Sequence, residues 1–515
     1  MQFFSNLAEI LKYDPQRPLL FNSGEFFFFF TIFIAIYTVI YRKKWWMSIY
    51  VIAFSFFFYY KTSGWYLFIL VLTSITDFSF ALLLDRAKKK PWRVFWMIMG
   101  VVPSMGLLAY FKYTNFILAN WSAIIGKNFQ PLDIFLPVGI SFYTFQSVSY
   151  IIDVYTKKLK PTTNLLDYAF FLSFFPQLVA GPIVKAHHFL PQLDRTPRVT
   201  KYDVYSGLWL IMLGLVKKAV ISDYISQYND LIFASPQNYN GFENLMAIYG
   251  YTLQIFMDFS GYSDMAIGLG RIMGFDLGIN FRLPYQSRNI TEFWRRWHIS
   301  LSTWLRDYIY IPLGGNRKGK VKQYRNLMLT MLIGGLWHGA NWKFVFWGGL
   351  HGIGLSVHKL LNPKLDKIPD VFTKKFLAWF ITFHFVVFLW IFFRATDINI
   401  DTKVKVKDPA TGEMVEKTET KKVDAFIVSW MMIKKVFTDF DIKFAKPFWE
   451  ARQTWVILMI IGFLMHTMPL DKYHRLIDSY VKLPWLLKLI IFIAVVQLVI
   501  QFSDKDVQPF IYFQF

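Results

Sequence analysis

Two histidines stand where an apolar chain seldom carries them. His338 lies in GGLWHGANW (334–342), between the apolar runs NLMLTMLI and KFVFWGGLHG. His298 lies in NITEFWRRWHISLSTWLRDYIY (289–310). Imidazole titrates near pH 6.5 in water, and burial favours its neutral form. A neutral imidazole is a competent general base, able to take a proton from a hydroxyl as that oxygen attacks an acyl group. Around His338, Gly334, Gly335, Gly339 and Ala340 are small enough for another helix or a ligand chain to approach the backbone. Trp337 and Trp342 supply flat, stiff walls. The combination describes a narrow slot with a base at its end. On residue types alone, a core histidine satisfied by one hydrogen bond is the alternative.

Other ionisable groups sit in apolar surroundings, where they are costly and mark candidate sites: Asp77, Asp258, Asp264, His351 and His384. His384 reads as a packed histidine with one partner. Asp77 reads as a buried salt-bridge partner, and Asp258 and Asp264 as structural groups that cap or pair with arginines of 271–306. Familiar catalytic templates do not fit. There is no GxSxG elbow and no phosphate loop, and GLGRIMG (268–274) lacks a preceding strand. The histidines, including His187 and His188, do not match a metal spacing, so no metal is expected. The absence of cysteine excludes a thiol nucleophile and disulfides.

The elements that must hold these residues are membrane helices. The 515 residues are 55% hydrophobic and only 17% charged, against about 25% charged in a soluble chain. Apolar segments run over 26–41, 45–60, 64–84, 92–111, 133–153, 204–221, 244–259, 326–338, 342–358, 376–393, 452–468 and 483–502. With about 20 residues needed per span, they predict roughly ten to twelve transmembrane helices, the short ones re-entrant or interfacial. The N-terminal stretch has no basic start or small-residue cleavage site, so the first span is expected to insert and stay. The expected fold is all-α and polytopic, one membrane domain over 1–515, with no fixed-period or inverted repeat.

The net charge of +22 is not a nucleic-acid footprint, because its blocks sit between spans: RKK (42–44), DRAKKKPWR (85–93), KKLK (157–160) and above all 271–325. Such blocks mark the cytoplasmic side and put the N-terminus outside. A basic cytoplasmic surface also suits lipid headgroups or the phosphates of a cofactor. Within 289–310, Ile290, Phe293, Trp294, Trp297, Leu301, Trp304, Leu305 and Tyr308 share one helical face, with Arg295, Ser302 and Arg306 opposite. That pattern predicts a helix lying at the membrane interface with His298 on its edge. Residues 401–422 alternate Thr and Val with charge around DPATGE, which predicts a solvent-exposed β-hairpin, a disordered loop being the alternative.

FNSGEFF (21–27), FLPVGISFYTFQSVSYIIDVY (135–155), FFPQLVAGPI (174–183), MDFSGYSDMAIGLGRIMGF (257–275), FRLPYQSRNITEFWRRWHISLSTWLRDYIYIPLGGNRKG (281–319), WHGANW (337–342) and the QPFIYFQF terminus together resemble the membrane-bound O-acyltransferase family, most closely its bacterial alginate O-acetylase branch. The motifs are long, stand in the family's order and cover most of the chain. The 401–422 insertion departs from the family pattern. The resemblance implies a helical funnel with a tunnel, His338 as the catalytic residue, acting as base or carrying acyl itself, and His298 lining the cytoplasmic approach. It implies a multi-pass protein of the bacterial inner membrane that takes acetyl from a cytoplasmic donor, acetyl-CoA or another phosphopantetheine thioester, with no permanently bound cofactor. The acetyl is delivered to an extracytoplasmic hydroxyl of an exopolysaccharide or cell-wall polysaccharide, often through an SGNH-hydrolase-like partner. The donor's anionic part is expected to meet Arg295, Arg296, Arg317 and Lys318, with Trp337 beside its arm. The competing reading is a transporter or flippase of an anionic lipid or glycan. It accounts for spans and buried acids, but not for a Trp/Arg helix leading toward a Gly/Trp-framed histidine.

Overall fold

A computed structural model describes residues 10–179, 181–365, 368–369, 371–407, 414–502 and 510. Apart from one hairpin, its regular structure is helical. Six helical stretches among these residues are long and apolar enough to cross a membrane: Lys44–Arg86, Lys90–Ile124, Lys201–Ala234, Phe372–Arg394, Ile442–Thr467 and Trp485–Phe502. The first contains two helices, Lys44–Ser63 and Leu67–Arg86, reversing at Gly64 with φ 61°. The protein is thus an all-α, multi-pass membrane protein. Its exposed apolar side chains lie on outer helices, as Phe28, Ile32 and Ile36 do on Gly24–Ile40 and Leu486, Ile490 and Ile493 on Trp485–Phe502. Lipid accepts such faces because the backbone bonds are closed within each helix.

Two opposed faces follow from what the helix ends touch. On one, Lys44 pairs with Asp167 and Asp194, Arg93 donates to the carbonyls of Leu84 and Tyr155, and His188 pairs with Asp276. This face carries the basic blocks. On the other, Lys61 donates to the carbonyls of Ile10 and Lys12, Ser63 accepts from the amide of Val138, and Arg394 pairs with Asp230.

The helices around the two histidines are labelled in chain order: α1 Ile140–Tyr155, α2 Gly241–Ile272, α3 Ile290–Arg296, α4 Ile299–Leu305, α5 Lys320–His338, α6 Trp342–Leu365 and α7 Phe372–Arg394. The central α2 is almost wholly buried, and a reciprocal capping box between Asn240 and Glu243 starts it. Its acids find lysines rather than the arginines of 271–306: Asp258 pairs with Lys218 at 2.7 Å and Asp264 with Lys217 at 2.6 Å. Lys218 also meets Asp223, so a three-membered ionic group is sealed inside. Removing one member of a buried pair typically costs about 3–5 kcal/mol. Asp77 has a hydroxyl partner instead of a cation, accepting from Tyr168 at 2.8 Å. His384 has two partners, Tyr249 and the carbonyl of Phe380.

The segment 289–310 is not one helix. Asn289 caps α3, the chain turns at Trp297–His298, α4 follows, and Arg306–Tyr310 closes as a π-helical turn. His298 takes φ 42° and ψ 57°, a left-handed conformation that side chains seldom adopt. The β-hairpin pairs β1 Ile398–Lys407 antiparallel to β2 Met414–Val423, with Ile398 opposite Val423 and Lys407 opposite Met414. Residues 408–413, which include DPATGE, lie outside the described residues. The hairpin's base packs through Ile398 and Val423 against Ala395, Ala425 and Val428 on the face opposite the basic one.

Candidate functional site

α5 ends at His338 and α6 begins four residues later, so the two helices run back against one another. Their crossing is made of backbone. A Cβ on Gly335 would sit 2.2 Å from the Phe344 carbonyl oxygen, and one on Gly348 would sit 2.3 Å from that of Met331. A Cβ on Gly339 would fall 2.1 Å from the Phe344 ring. The space beside Gly335 and Gly339 is therefore filled by α6, not by a ligand chain, while Gly334 faces Leu305. Trp342 is 57% exposed, on the far side, donating to Asn120. The walls beside His338 are Trp337, Trp347 and Phe393, with ring centroids at 5.1, 5.1 and 5.3 Å.

His338 is 2% exposed and His298 fully buried. The Trp337 indole lies against both, 5.1 Å from His338 and 5.9 Å from His298. On the other side, Trp347 bridges His338 to His351 at 4.5 Å, and His351 Nδ1 accepts from Trp294 at 3.3 Å. Histidines and tryptophans alternate through the interior. The indole N–H groups of Trp297, Trp337 and Trp347 are buried with no hydrogen-bond partner among the described residues, as is His298 Nε2. Polar atoms left unpaired in a core are costly.

The left-handed turn aims His298 inward. Asn280 holds it there: its Oδ1 faces His298 Nδ1 at 3.1 Å and accepts from the amide and hydroxyl of Ser300, while its carbonyl accepts from the Ile299 amide. Burial pushes the His298 imidazole down to about 3, so it is neutral at physiological pH. Behind it, Phe259 packs edge-on at 4.6 Å, and the fully buried Phe510 closes over Phe259 and Tyr262.

Cavities approach this interior from both faces. From the face opposite the basic one, a cavity of about 360 Å³ passes Tyr13, Gln16 and Phe142 and reaches Lys112, Trp337 and His338. At the basic face, a 660 Å³ cavity lined by Arg295, Lys320, His358 and Lys359 adjoins a 340 Å³ one lined by Trp294, Ile299, Met331 and Leu355. The two share Thr291, Arg295 and Lys359, so a polar, basic mouth leads into an apolar groove. Burial first, then the neighbouring Arg295 charge, hold Lys359 below the ordinary lysine range.

Of the basic residues expected to meet a donor, only Arg295 lines this mouth. Arg296 is tied to Glu292 at 2.6 Å, and Arg317 and Lys318 lie exposed on the turn before α5, outside the groove. Lys320 lies in the basic block 271–325, whereas Lys359 and Lys112 escaped the sequence reading. Lys112 is a single cation in an otherwise apolar run, AYFKYTN, and that isolation was the available signal.

The model of the MBOAT, membrane-bound O-acyltransferase family matches residues 157–399. A peptidoglycan O-acetyltransferase of Helicobacter pylori is 40% identical over 373 residues, covering 67% of this chain and 70% of that protein. A probable alginate O-acetylase, AlgI, of Pseudomonas aeruginosa is 48% identical over 310 residues, or 59% of this chain and 58% of the relative. A teichoic acid D-alanyltransferase of Bacillus subtilis is 32% identical over 264 residues, 49% of this chain and 67% of its own length. The alignment thus spans less than two thirds of the alginate relative's length.

Proposed function

The chain belongs to the membrane-bound O-acyltransferase family, and from that premise we propose that it moves an acetyl group from a cytoplasmic thioester to an extracytoplasmic hydroxyl. The basic face is taken as cytoplasmic by the distribution of Lys and Arg, and the bacterial relatives support the inner membrane as its place. Acetyl-CoA, or another phosphopantetheine thioester, would dock with its anionic part at Arg295, Lys320 and Lys359. Its arm would follow the apolar groove toward Trp294 and Ile299. The acceptor would enter through the opposite cavity. His338 takes the proton of the acceptor hydroxyl as that oxygen attacks the thioester carbonyl; the carbon–sulfur bond then breaks, and the departing thiolate recovers the proton. A neutral His298, with Nδ1 held by Asn280, presents Nε2 along the donor's route. The acceptor is a polysaccharide hydroxyl, reached directly or through an extracytoplasmic SGNH-hydrolase-like partner. The relatives named for peptidoglycan and alginate support acetyl as the group carried.

The observation that carries this reading is the position of His338, at the inner end of the outward cavity and against the same indole as His298. The test is thiol release from acetyl-CoA by membranes containing the protein. His338→Ala should reach wild-type protein level and lose about 10²–10⁴-fold in rate, the usual contribution of a general base. Equal CoA release by that variant would overturn the reading.

A further inference from the structure

The last turn of an α-helix leaves its carbonyls without partners from its own backbone. In α5 these belong to the residues around His338, and a neighbouring helix takes them. The Lys112 ammonium donates to the Trp337 carbonyl at 2.6 Å and to the His338 carbonyl at 3.1 Å. The adjacent Tyr113 hydroxyl donates to the Leu336 carbonyl at 3.0 Å. Three consecutive terminal carbonyls are thus held by two consecutive side chains. Residues one apart on a regular helix diverge by about 100°. Here Ala109–Tyr113 is a π-helical turn, and both side chains reach α5 from it. Such turns are rare and recur at functional sites.

Lys112 makes no ion pair among the described residues. Its charge is answered by carbonyl dipoles at the negative end of α5, the end a cation stabilises. Its ammonium also stands 5.7 Å from the Trp337 ring centroid, on the indole that touches both histidines. No caps are supplied from within α5, where the chain passes to Gly339 in extended backbone. The clamp therefore fixes the terminal turn that carries the base.

We propose that Lys112, assisted by Tyr113, is a positioning residue for His338: it pins the end of α5 by its carbonyls and so fixes the imidazole between the outward cavity and Trp337. The catalytic part of this inference rests on the acyl-transfer reading, whereas the clamp itself does not. A displacement of about 1 Å at a reacting group can cost about 10²-fold, so loosening the clamp acts on turnover rather than on donor binding.

The test uses the full-length protein in lipid nanodiscs. Lys112→Met keeps the length of the side chain and removes its donors; Lys112→Gln keeps an N–H donor without the charge; Tyr113→Phe removes one hydroxyl. Backbone amide exchange over 334–342 is read first. Lys112→Met should raise exchange there about tenfold while exchange in Gly241–Ile272 stays unchanged, and Lys112→Gln should restore part of the protection. CoA release from acetyl-CoA is read second: kcat should fall about tenfold in Lys112→Met with KM for acetyl-CoA unchanged, recover partly in Lys112→Gln and fall less in Tyr113→Phe. Unchanged exchange in Lys112→Met overturns the clamp. Raised exchange with unchanged kcat overturns the positioning role. If the wild-type protein releases no CoA, the acyl-transfer reading fails, and with it the positioning role, while the exchange result still decides the clamp. If Lys112→Met does not fold, Tyr113→Phe and Lys112→Gln carry the same two readings.

Discussion

His298 Nδ1 donates its hydrogen bond to Asn280 Oδ1. The direction follows from the Ser300 amide, which can only donate and which meets the same Asn280 atom at 3.3 Å, so that atom is the carbonyl oxygen. The proton of neutral His298 is therefore on Nδ1, and Nε2 is left as an acceptor. Asn280→Leu strands an imidazole N–H and the Ser300 donors in a buried place, at a cost of about 1–3 kcal/mol. It should lower the thermal midpoint and free His298 from its inward orientation. Thermal unfolding in nanodiscs with parallel CoA-release rates checks both; a variant equal to wild type in both would refute the holding role of Asn280.

Gly335 and Gly348 make the crossing of α5 and α6 a contact of backbones. Gly335→Val and Gly348→Val must force the helices apart, because a Cβ at either glycine already lies within 2.3 Å of a carbonyl oxygen. Both should sharply reduce folded protein. Gly334→Ala should be tolerated, since its nearest obstacle is the flexible Leu305 Cδ1 at 3.0 Å. Size-exclusion profiles of the three variants after identical solubilisation give the comparison.

The basic mouth separates residues that look alike in sequence. Arg295→Glu and Lys359→Glu should raise KM for acetyl-CoA about tenfold, with kcat retained, and the ratio to wild type should shrink with added salt, which screens the attraction the variants lack. Arg317→Ala and Lys318→Ala should leave KM unchanged. Arg296→Ala should act only by freeing Glu292, a small stability effect for a partly exposed pair. Steady-state kinetics at two salt concentrations distinguishes the groups, and equal KM shifts at 295 and 317 would refute the groove as the docking place.

On the same face, His188 raises its own pKa and lowers that of Asp276, to about 2, by their hydrogen bond. The contribution of His188 is complete below its unfolded value of 6.5 and is lost as pH rises through its folded value. That of Asp276 is present above 3.8 and is lost as pH falls toward about 2. The pair therefore helps most between these limits. The difference in thermal midpoint between wild type and His188→Gln should be largest near pH 5 and shrink as pH rises through the folded value of His188. It should be small, because both side chains are well exposed. A difference that grew with pH would contradict the pairing.

Long apolar segments were legible because burial in lipid demands them. What escaped were features decided by contacts between distant residues. The amphipathic period of 289–310 continues through His298, so nothing local announces the turn that Asn280 stabilises. The glycines around His338 correctly signalled close approach, but sequence does not say whether helix or ligand arrives; Phe344 and Gly348 answer that it is helix. Trp342 and Trp347 are equivalent in composition, and only the course of α6 sends one outward and the other against the imidazole. Asp258 and Asp264 called for cations, and the lysines of GLVKKAV reached them before any arginine. His338 and His298 stand out by residue type and motif, yet the indole between them is visible only in three dimensions.

Phe510 is sealed against Phe259, and Phe259 is the back wall of His298. Phe510 is thus a structural wedge behind His298, more than two hundred positions from the histidine it supports. A change made at Phe510 is therefore felt at His298 through Phe259. Loss of activity on altering Phe510 would then report a missing support before it reported anything about substrate.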